Sequence, residues 1–433
     1  MKPRVAVAYS GGRDSTALLH ATLTVAATHG VDVLALHVHH GLSPHADEWE
    51  RHCEAQCVRW ARAGRPVEFH AQRLSGAPAP GDSVEAWARD ARYRALRTMA
   101  MAHGASVVML AHHRRDQAET WLLQALRGAG VAGLAAMPRG IVRDGIAWHR
   151  PWLAKGSDEI VAYVRRHRLK HISDDSNADP RFARNRLRLQ VWPALSAAFP
   201  QAEATLATAA QWAQQADAAL DELAAADLAP LIVGDGLAVE RWLALSPARR
   251  SNALRAWLAV PLRGRVPASL VTRLCDELPS RRHAAWPIED GALRVYRGVL
   301  RHVSAPSTLV VTAGRESVLR VQHPGSYPLP GWSGALVVEP VAEMGVPWAW
   351  LGLMELRERA GAERFQAGIA RPPRSLKKQF QEAGVPAWQR SGPLVYSGGQ
   401  LVFVPGLGLD ARVIGVPGQC LARLRWVADA GPG

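Results

Sequence analysis

Five apolar or aromatic residues, Val5 to Tyr9, run straight into Ser10-Gly11-Gly12-Arg13-Asp14-Ser15-Thr16, and then into Ala17-Leu18-Leu19. The pattern predicts a short buried strand, a glycine turn and a helix start crowded with hydroxyls. Adjacent glycines let the backbone turn tightly and bring its N–H groups close to a ligand. The helix behind them adds unpaired donors and a partial positive charge, so phosphate is the natural occupant of Ser10, Gly11, Gly12, Arg13, Asp14 and Ser15. The GxxxxGK[ST] spacing and its lysine are absent, which argues against a kinase or GTPase loop. Taken alone, the same residues also read as ordinary turn and cap chemistry.

Up to about residue 193 the chain alternates apolar strands with helical stretches. Val31–His39, Val67–His70 and Val107–Ala111 read as strands, and residues 47–63, 84–101 and 116–126 as helices. Such alternation predicts an α/β fold with a parallel sheet covered on both faces, and its ligands at the carboxyl ends of the strands. An alanine-rich helical stretch from about 195 to 226 leads into a mainly helical region. Beyond Pro306 short β-like runs punctuated by Pro and Gly predict a small α+β domain, with Leu394–Tyr396 and Leu401–Val404 forming a hairpin around Gly398-Gly399. The expected domains are 1–215, α/β with the glycine loop; 216–305, mainly helical; and 306–433, small α+β.

The net charge is +14, carried almost wholly by arginine, since the lysines are Lys2, Lys155, Lys170, Lys377 and Lys378. A chain this basic usually meets a polyanion, and guanidinium forks suit phosphate. An arginine-biased composition would explain the choice of arginine but not the surplus of charge. Four cysteines make no disulfide framework; Cys53 and Cys57, four apart on one helix face, read as partly buried thiols. No apolar stretch approaches a membrane span, and the first residues lead directly into a strand, so a cytoplasmic location is expected.

Further candidates lie where strands end. His37, His39 and His40 invite a metal, but no carboxylate or cysteine set completes a shell; His39 and His40 suit a nucleotide-contacting loop, and His37 equally a structural place. Glu85, Arg89 and Arg92 share a helix side, which in isolation is a solvated salt-bridge pattern. Asp116 and Glu119 project from one helical face and could hold Mg²⁺ or an ammonium group, or simply complement the helix dipole. Asp174-Asp175-Ser176-Asn177 precedes Arg184-Asn185-Arg186-Leu187-Arg188, a phosphate or RNA grip or an arginine-rich helix surface.

The loop SGGxDS resembles that of the PP-loop ATP pyrophosphatases. Taken in order with HVHHGLS, ARxxRY, HHxxDQxET, Arg127-Gly128-Ala129-Gly130, Arg150-Pro151 and DxSNxDxxxxRNxxR, it resembles the tRNA(Ile)-lysidine synthetases, strongly over about the first 190 residues. Gly384-Val-Pro-Ala-Trp388-Gln-Arg390 and the hairpin after it are similar to that family's small C-terminal domain. The resemblance implies a PP-loop (adenine nucleotide alpha hydrolase-like) fold and an ATP-dependent ligase forming a carbon–nitrogen bond. ATP adenylates C2 of the wobble cytidine in the CAU-anticodon isoleucine tRNA and pyrophosphate leaves. The ε-amine of L-lysine then displaces AMP, giving lysidine and switching decoding from AUG to AUA.

On this chain the resemblance implies that Ser10, Gly11, Gly12, Arg13, Asp14 and Ser15 bind ATP phosphates, with Asp14 assisting Mg²⁺. His39 and His40 would line the adenosine side. Asp116 and Glu119 would receive the lysine ammonium or a metal, and with Asp14 carry the catalysis. Arg89, Arg92, Arg184 and Arg188 would meet phosphate, adenylate or tRNA. The basic character of the second domain, from Arg241 to Arg265, leads to the expectation that it contacts the acceptor side of the tRNA. A homodimer is ordinary for the family. One departure is Arg115, where relatives often place an acid before Asp116. The rival readings are a 2-thiocytidine or thiouridine enzyme, which the lack of CxxC disfavours, and a non-catalytic RNA-binding protein.

Overall fold

The computed structural model describes residues 2–41, 43–76, 84–172, 183–264, 266–281, 284–304, 317–416 and 418–428. They fall into two compact units, Met1–Asp221 and Glu222–Gly433. Among the described residues no helix is long and apolar enough to cross a membrane.

The first unit runs β1 (Arg4–Ala8), α1 (Arg13–His29), β2 (Asp32–His39), α2 (Ala46–Arg62), β3 (Val67–Arg73), α3 (Val84–Ala102), β4 (Val107–Met109), α4 (Arg114–Ala125) and α5 (Val131–Leu134). After these come β5 (Gly140–Arg143), β6 (Ile146–His149) and α6 (Ser157–Arg166). The sheet order is β3-β2-β1-β4-β6-β5, parallel except for β5. Side chains alternate across a strand, so both faces are apolar. Ala6, Leu34 and Leu36 pack with Leu96, Met99 and Val108 on one face. Val7, Val33 and Ala35 pack with Leu18, Leu19, Trp60 and Ile160 on the other. Each fully buried leucine contributes about 1.5–3 kcal/mol. The expected α/β parallel-sheet fold is therefore what forms.

Cys53 and Cys57 belong to the second of these cores, and burial pushes both thiols up to about 12. They are packing residues. The Asp144-Gly145 turn joining β5 to β6, with φ of 53° and 78°, is the hairpin geometry that Asp-Gly favours. It makes an antiparallel edge that the strand reading above does not include.

Past α6 come α7 (Ala183–Arg186), a π-helical turn (Leu187–Val191), α8 (Trp192–Ala198) and α9 (Ala202–Leu231). The π turn has a sequence cause. Pro193 has no N–H to give, and its ring crowds the preceding turn; the Trp192 N–H reaches five residues back to the Leu187 carbonyl. The predicted alanine-rich helix is thus two helices, broken around Phe199-Pro200.

The second unit opens with the end of α9, then β7 (Ile232–Val233), β8 (Gly236–Ala238), α10 (Val239–Leu243), α11 (Pro247–Ala259) and α12 (Ala268–Glu277). Next are β9 (Ala284–Ile288), β10 (Gly291–Tyr296) and β11 (Val299–Ser304). The helical middle therefore also carries a five-stranded antiparallel sheet, β7-β8-β11-β10-β9, packed around Trp242, Leu254, Trp286 and Leu293. The described residues from 317 to 428 form three further antiparallel sheets, of five, four and two strands, and a helix, Leu376–Glu382. The predicted hairpin is present, Leu394–Ser397 pairing with Gln400–Val404 across Gly398 and Gly399, both at positive φ.

Candidate active site at the carboxyl ends of the strands

Chain reversal after β1 depends on Gly11. Its φ is +82°, and a Cβ there would lie 2.5 Å from Ile172 Cδ1 and 2.7 Å from Cys53 Sγ. A strap passes beneath it, for the Ile172 N–H donates to the Gly11 carbonyl at 2.9 Å and Ile172 bridges Gly12. Gly12 caps α1 in extended conformation. Ser10 Oγ and Ser15 Oγ lie 3.0 Å apart, and the Ser15 hydroxyl donates back to the Gly12 carbonyl at 3.1 Å. The first turn of α1 keeps its outward N–H groups for an anion. Gly11→Ala is expected to lose about 1–3 kcal/mol from the backbone alone, with a packing cost added. A urea midpoint equal to wild type would contradict this account of the turn.

Asp14 stands one residue inside α1. Its Oδ1 accepts from Arg13 Nε at 2.8 Å, and Oδ2 faces His113 Nε2 at 3.6 Å. Burial alone would raise this carboxyl; His113 and Arg13 outweigh it and hold the group at about 2. His113 is the N-cap of α4: its Nδ1 accepts from the Arg115 N–H at 3.2 Å, while its own N–H donates to Asp116 Oδ2 at 3.1 Å. The ring's Nε2 also stands 3.5 Å from Asp116 Oδ2. Burial disfavours the imidazolium, but the flanking Asp14 and Asp116 carboxylates raise His113 above the ordinary histidine range. Asp116 itself is lowered, the neighbouring His113, His112, Arg184 and Arg188 overriding its burial.

Glu119 follows one turn later and is fully buried, at 0 % exposed. Three arginines surround it. Arg188 Nε donates to its two oxygens at 2.8 and 3.0 Å, and Arg188 Nη2 reaches Asp116 Oδ1 at 2.9 Å. Arg184 Nε is 3.3 Å from Glu119, and its Nη2 donates to Thr120 Oγ1 at 2.8 Å. Arg115 Nε donates to Glu119 at 3.4 Å, while its guanidinium lies 4.0 Å from the centre of the Trp192 ring. Arg115 is thus no loose cation: an acid partner and an aromatic face both hold it. Arg13, Asp14, His113, Arg115, Glu119 and Arg188 line one polar cleft of about 240 Å³.

Other predicted residues keep separate company. His39 pairs with Asp47 at 3.2 Å, and Arg73 joins Asp47 and Glu50 at 2.8 and 3.0 Å. His40 Nε2 accepts from Arg92 Nε at 3.1 Å, and burial with Arg92 nearby pushes His40 down to about 4. Arg89 is exposed, 5.8 Å from the Tyr93 ring. His37 takes the structural place, its Nδ1 2.9 Å from the Tyr9 carbonyl oxygen. The Glu85 side chain and Asp174 to Asn177 lie outside the described residues. Among the basic residues after 240, Arg241 donates to the Pro230 carbonyl, Arg249 pairs with buried Asp227, and Arg250 donates to the Leu243 and Leu245 carbonyls. Arg265 is outside the described residues.

Two residues of this neighbourhood carry no role in the sequence pattern. His113 lies within HHxxDQxET, yet only the fold brings it between Asp14 and Asp116. Gln117 is a clamp, exchanging hydrogen bonds with the Met137 carbonyl and N–H at 2.9 and 3.0 Å.

A parallel sheet whose first strand turns through two glycines into a helix start, with acids gathered beside it, defines a PP-loop nucleotide-binding protein. The family model described as PP-loop domain matches residues 1–195, and that described as TilS substrate C-terminal domain matches 354–426. The tRNA(Ile)-lysidine synthase of Burkholderia mallei is 40% identical over 450 residues, covering 94% of this chain and 89% of its own. That of Ralstonia nicotianae is 39% identical over 425 residues, with 95% and 90% covered. The chain belongs to the tRNA(Ile)-lysidine synthase family. A solved U34-tRNA thiolase from Methanococcus maripaludis is 12% identical, with a TM-score of 0.40 over 48% of this chain and 70% of its own.

Proposed function

We propose that this chain converts the wobble cytidine of the CAU-anticodon isoleucine tRNA to lysidine, at the expense of ATP and L-lysine. The observation that carries the reading is one polar cleft lined by Arg13 and Asp14 at the end of the glycine loop and by Glu119, with Asp116 joined to it through His113 and Arg188. In the first step the cytidine O2 attacks the α-phosphorus, the bond to the β-phosphate oxygen breaks, and pyrophosphate leaves. In the second the lysine Nε bonds to C2, the C2–O bond breaks, AMP leaves with both electrons, and the amine gives up its protons. A carbonyl oxygen is a poor leaving group until it is esterified, which is why ATP is spent first.

The loop N–H groups and Arg13 suit the phosphates, since they are donors fixed before substrate arrives. An acid pair suits the amine, which needs an anion to orient it and a base to deprotonate it. Asp116 and Glu119 already hold cationic nitrogens, those of Arg188, where an ammonium would bind. In this reading lysine binding and release of Arg188 are one event. Of the three acids Asp14 is the most exposed, at 31 % against 11 % and 0 %. It is therefore the carboxylate that fits Mg²⁺, a hard cation that takes few protein oxygens alongside phosphate. Mg²⁺ bound there would neutralise charge on the phosphates. Free ATP, lysine and tRNA meet in the cytoplasm, where this reading puts the enzyme.

The test is incorporation of radiolabelled lysine into the isoleucine CAU transcript with ATP and Mg²⁺. Label in the transcript, with AMP formed in equal amount, is expected. AMP released without label would point to another nucleophile, and neither product would leave an RNA-binding protein.

A further inference from the structure

We propose that His113 is a positioning residue whose Nε2–H ties the carboxylate of the nucleotide loop to the carboxylate of the amine site. This rests on the lysidine reading for what the two carboxylates do. The geometry is independent of it.

The Arg115 N–H at 3.2 Å points at His113 Nδ1, which must therefore offer its lone pair. The hydrogen bond made by one ring nitrogen decides where the proton sits, so it sits on Nε2. That nitrogen faces two carboxylate oxygens, Asp14 Oδ2 at 3.6 Å and Asp116 Oδ2 at 3.5 Å. Both distances exceed a tight hydrogen bond, as catalytic contacts often do before substrates draw them in. The ring cannot wander. His113 is 4 % exposed, its ring held at Nδ1 by the cap and its backbone N–H donating to Asp116 Oδ2. His113 is thus a rigid spacer: one N–H between two anions that would otherwise repel, each serving a different substrate.

Two near-isosteres separate this role from simple capping. In His113→Asn the amide oxygen takes the place of Nδ1 and keeps the cap, asparagine being among the best N-caps, but nothing reaches Asp14. In His113→Gln the amide N–H reaches roughly where Nε2 was, and the cap is weakened. The readouts are Tm, the KM values for ATP and lysine, and kcat for tRNA-dependent AMP formation. His113→Asn is expected to keep wild-type Tm and ATP KM while kcat falls about 100-fold, the size of a 1 Å misplacement. His113→Gln should be less stable yet at least tenfold faster than His113→Asn. Wild-type kcat in His113→Asn, with losses elsewhere following Tm, would overturn the proposal. So would a ¹⁵N imidazole spectrum, assigned by the resonance missing in His113→Asn, that puts the proton on Nδ1. Should wild type release AMP without making lysidine, the lysidine reading fails. The order of the variants in AMP formation and the spectrum still decide the bridge.

Discussion

Glu119→Gln is expected to stop lysine transfer while leaving the adenylation step running. The substitution keeps the shape and removes one negative charge from a fully buried position ringed by Arg115, Arg184 and Arg188. Removing one partner of a buried ion pair costs about 3–5 kcal/mol, which at 1.4 kcal/mol per tenfold bounds the loss in kcat/KM for lysine at roughly 10² to 4 × 10³. Pyrophosphate exchange, which needs no amine, should stay within about tenfold of wild type. The two half-reactions on one preparation, with a urea titration to correct for stability, give the answer. Equal losses in both would remove Glu119 from the amine site and leave it a strut for the arginines.

Asp14→Asn should produce the complementary pattern, with both half-reactions lost together. Asp14 is the acid of the nucleotide loop, ionised down to about pH 2 because His113 and Arg13 outweigh its burial. An amide there leaves Arg13 without its anion and takes a charge from the place where phosphate and Mg²⁺ would meet. Losing one preorganised electrostatic group costs on the order of 10²–10³ in rate, and without adenylate there is nothing for lysine to attack. Exchange above a tenth of the wild-type rate would take Asp14 out of the first step. The pair of variants is more telling than either alone, because general damage to the fold would not separate them by half-reaction.

The strands and helices that carry the site were legible because their local signals agree: apolar runs for β1, β2 and β4, glycines where the chain turns, Asp116 three residues into a capped helix. Asp14, Asp116 and Glu119 could be picked out by residue type and by their place at strand ends. What lay over them could not. Arg188 is 69 residues from Glu119 and Arg184 is 68 from Asp116, and no local pattern says that an arginine-rich segment folds back onto an acid pair rather than facing solvent. Arg115 looked like an intruder for the same reason, its partner Trp192 being remote. The β5–β6 hairpin is different: Asp144-Gly145 is a strong turn signal, set among helices and parallel strands whose pattern outweighs it. The β9–β11 meander was hidden likewise by the helices before it, although Leu293 and Val295 alternate as a strand requires.

The π turn at Leu187–Val191 makes this stretch of chain intolerant in an unusual way. Arg184 and Arg188 precede or open the widened turn, and Trp192 follows it. The widened turn already takes up one extra residue, so inserting another beside it would swing everything downstream by about 100° relative to everything upstream. The arginines would keep their acids, while Trp192 would leave Arg115 and expose an indole. Point substitutions in the turn change only what a side chain touches. A change of length re-indexes the whole segment, so the count of residues between the arginines and the tryptophan is itself information that the fold reads.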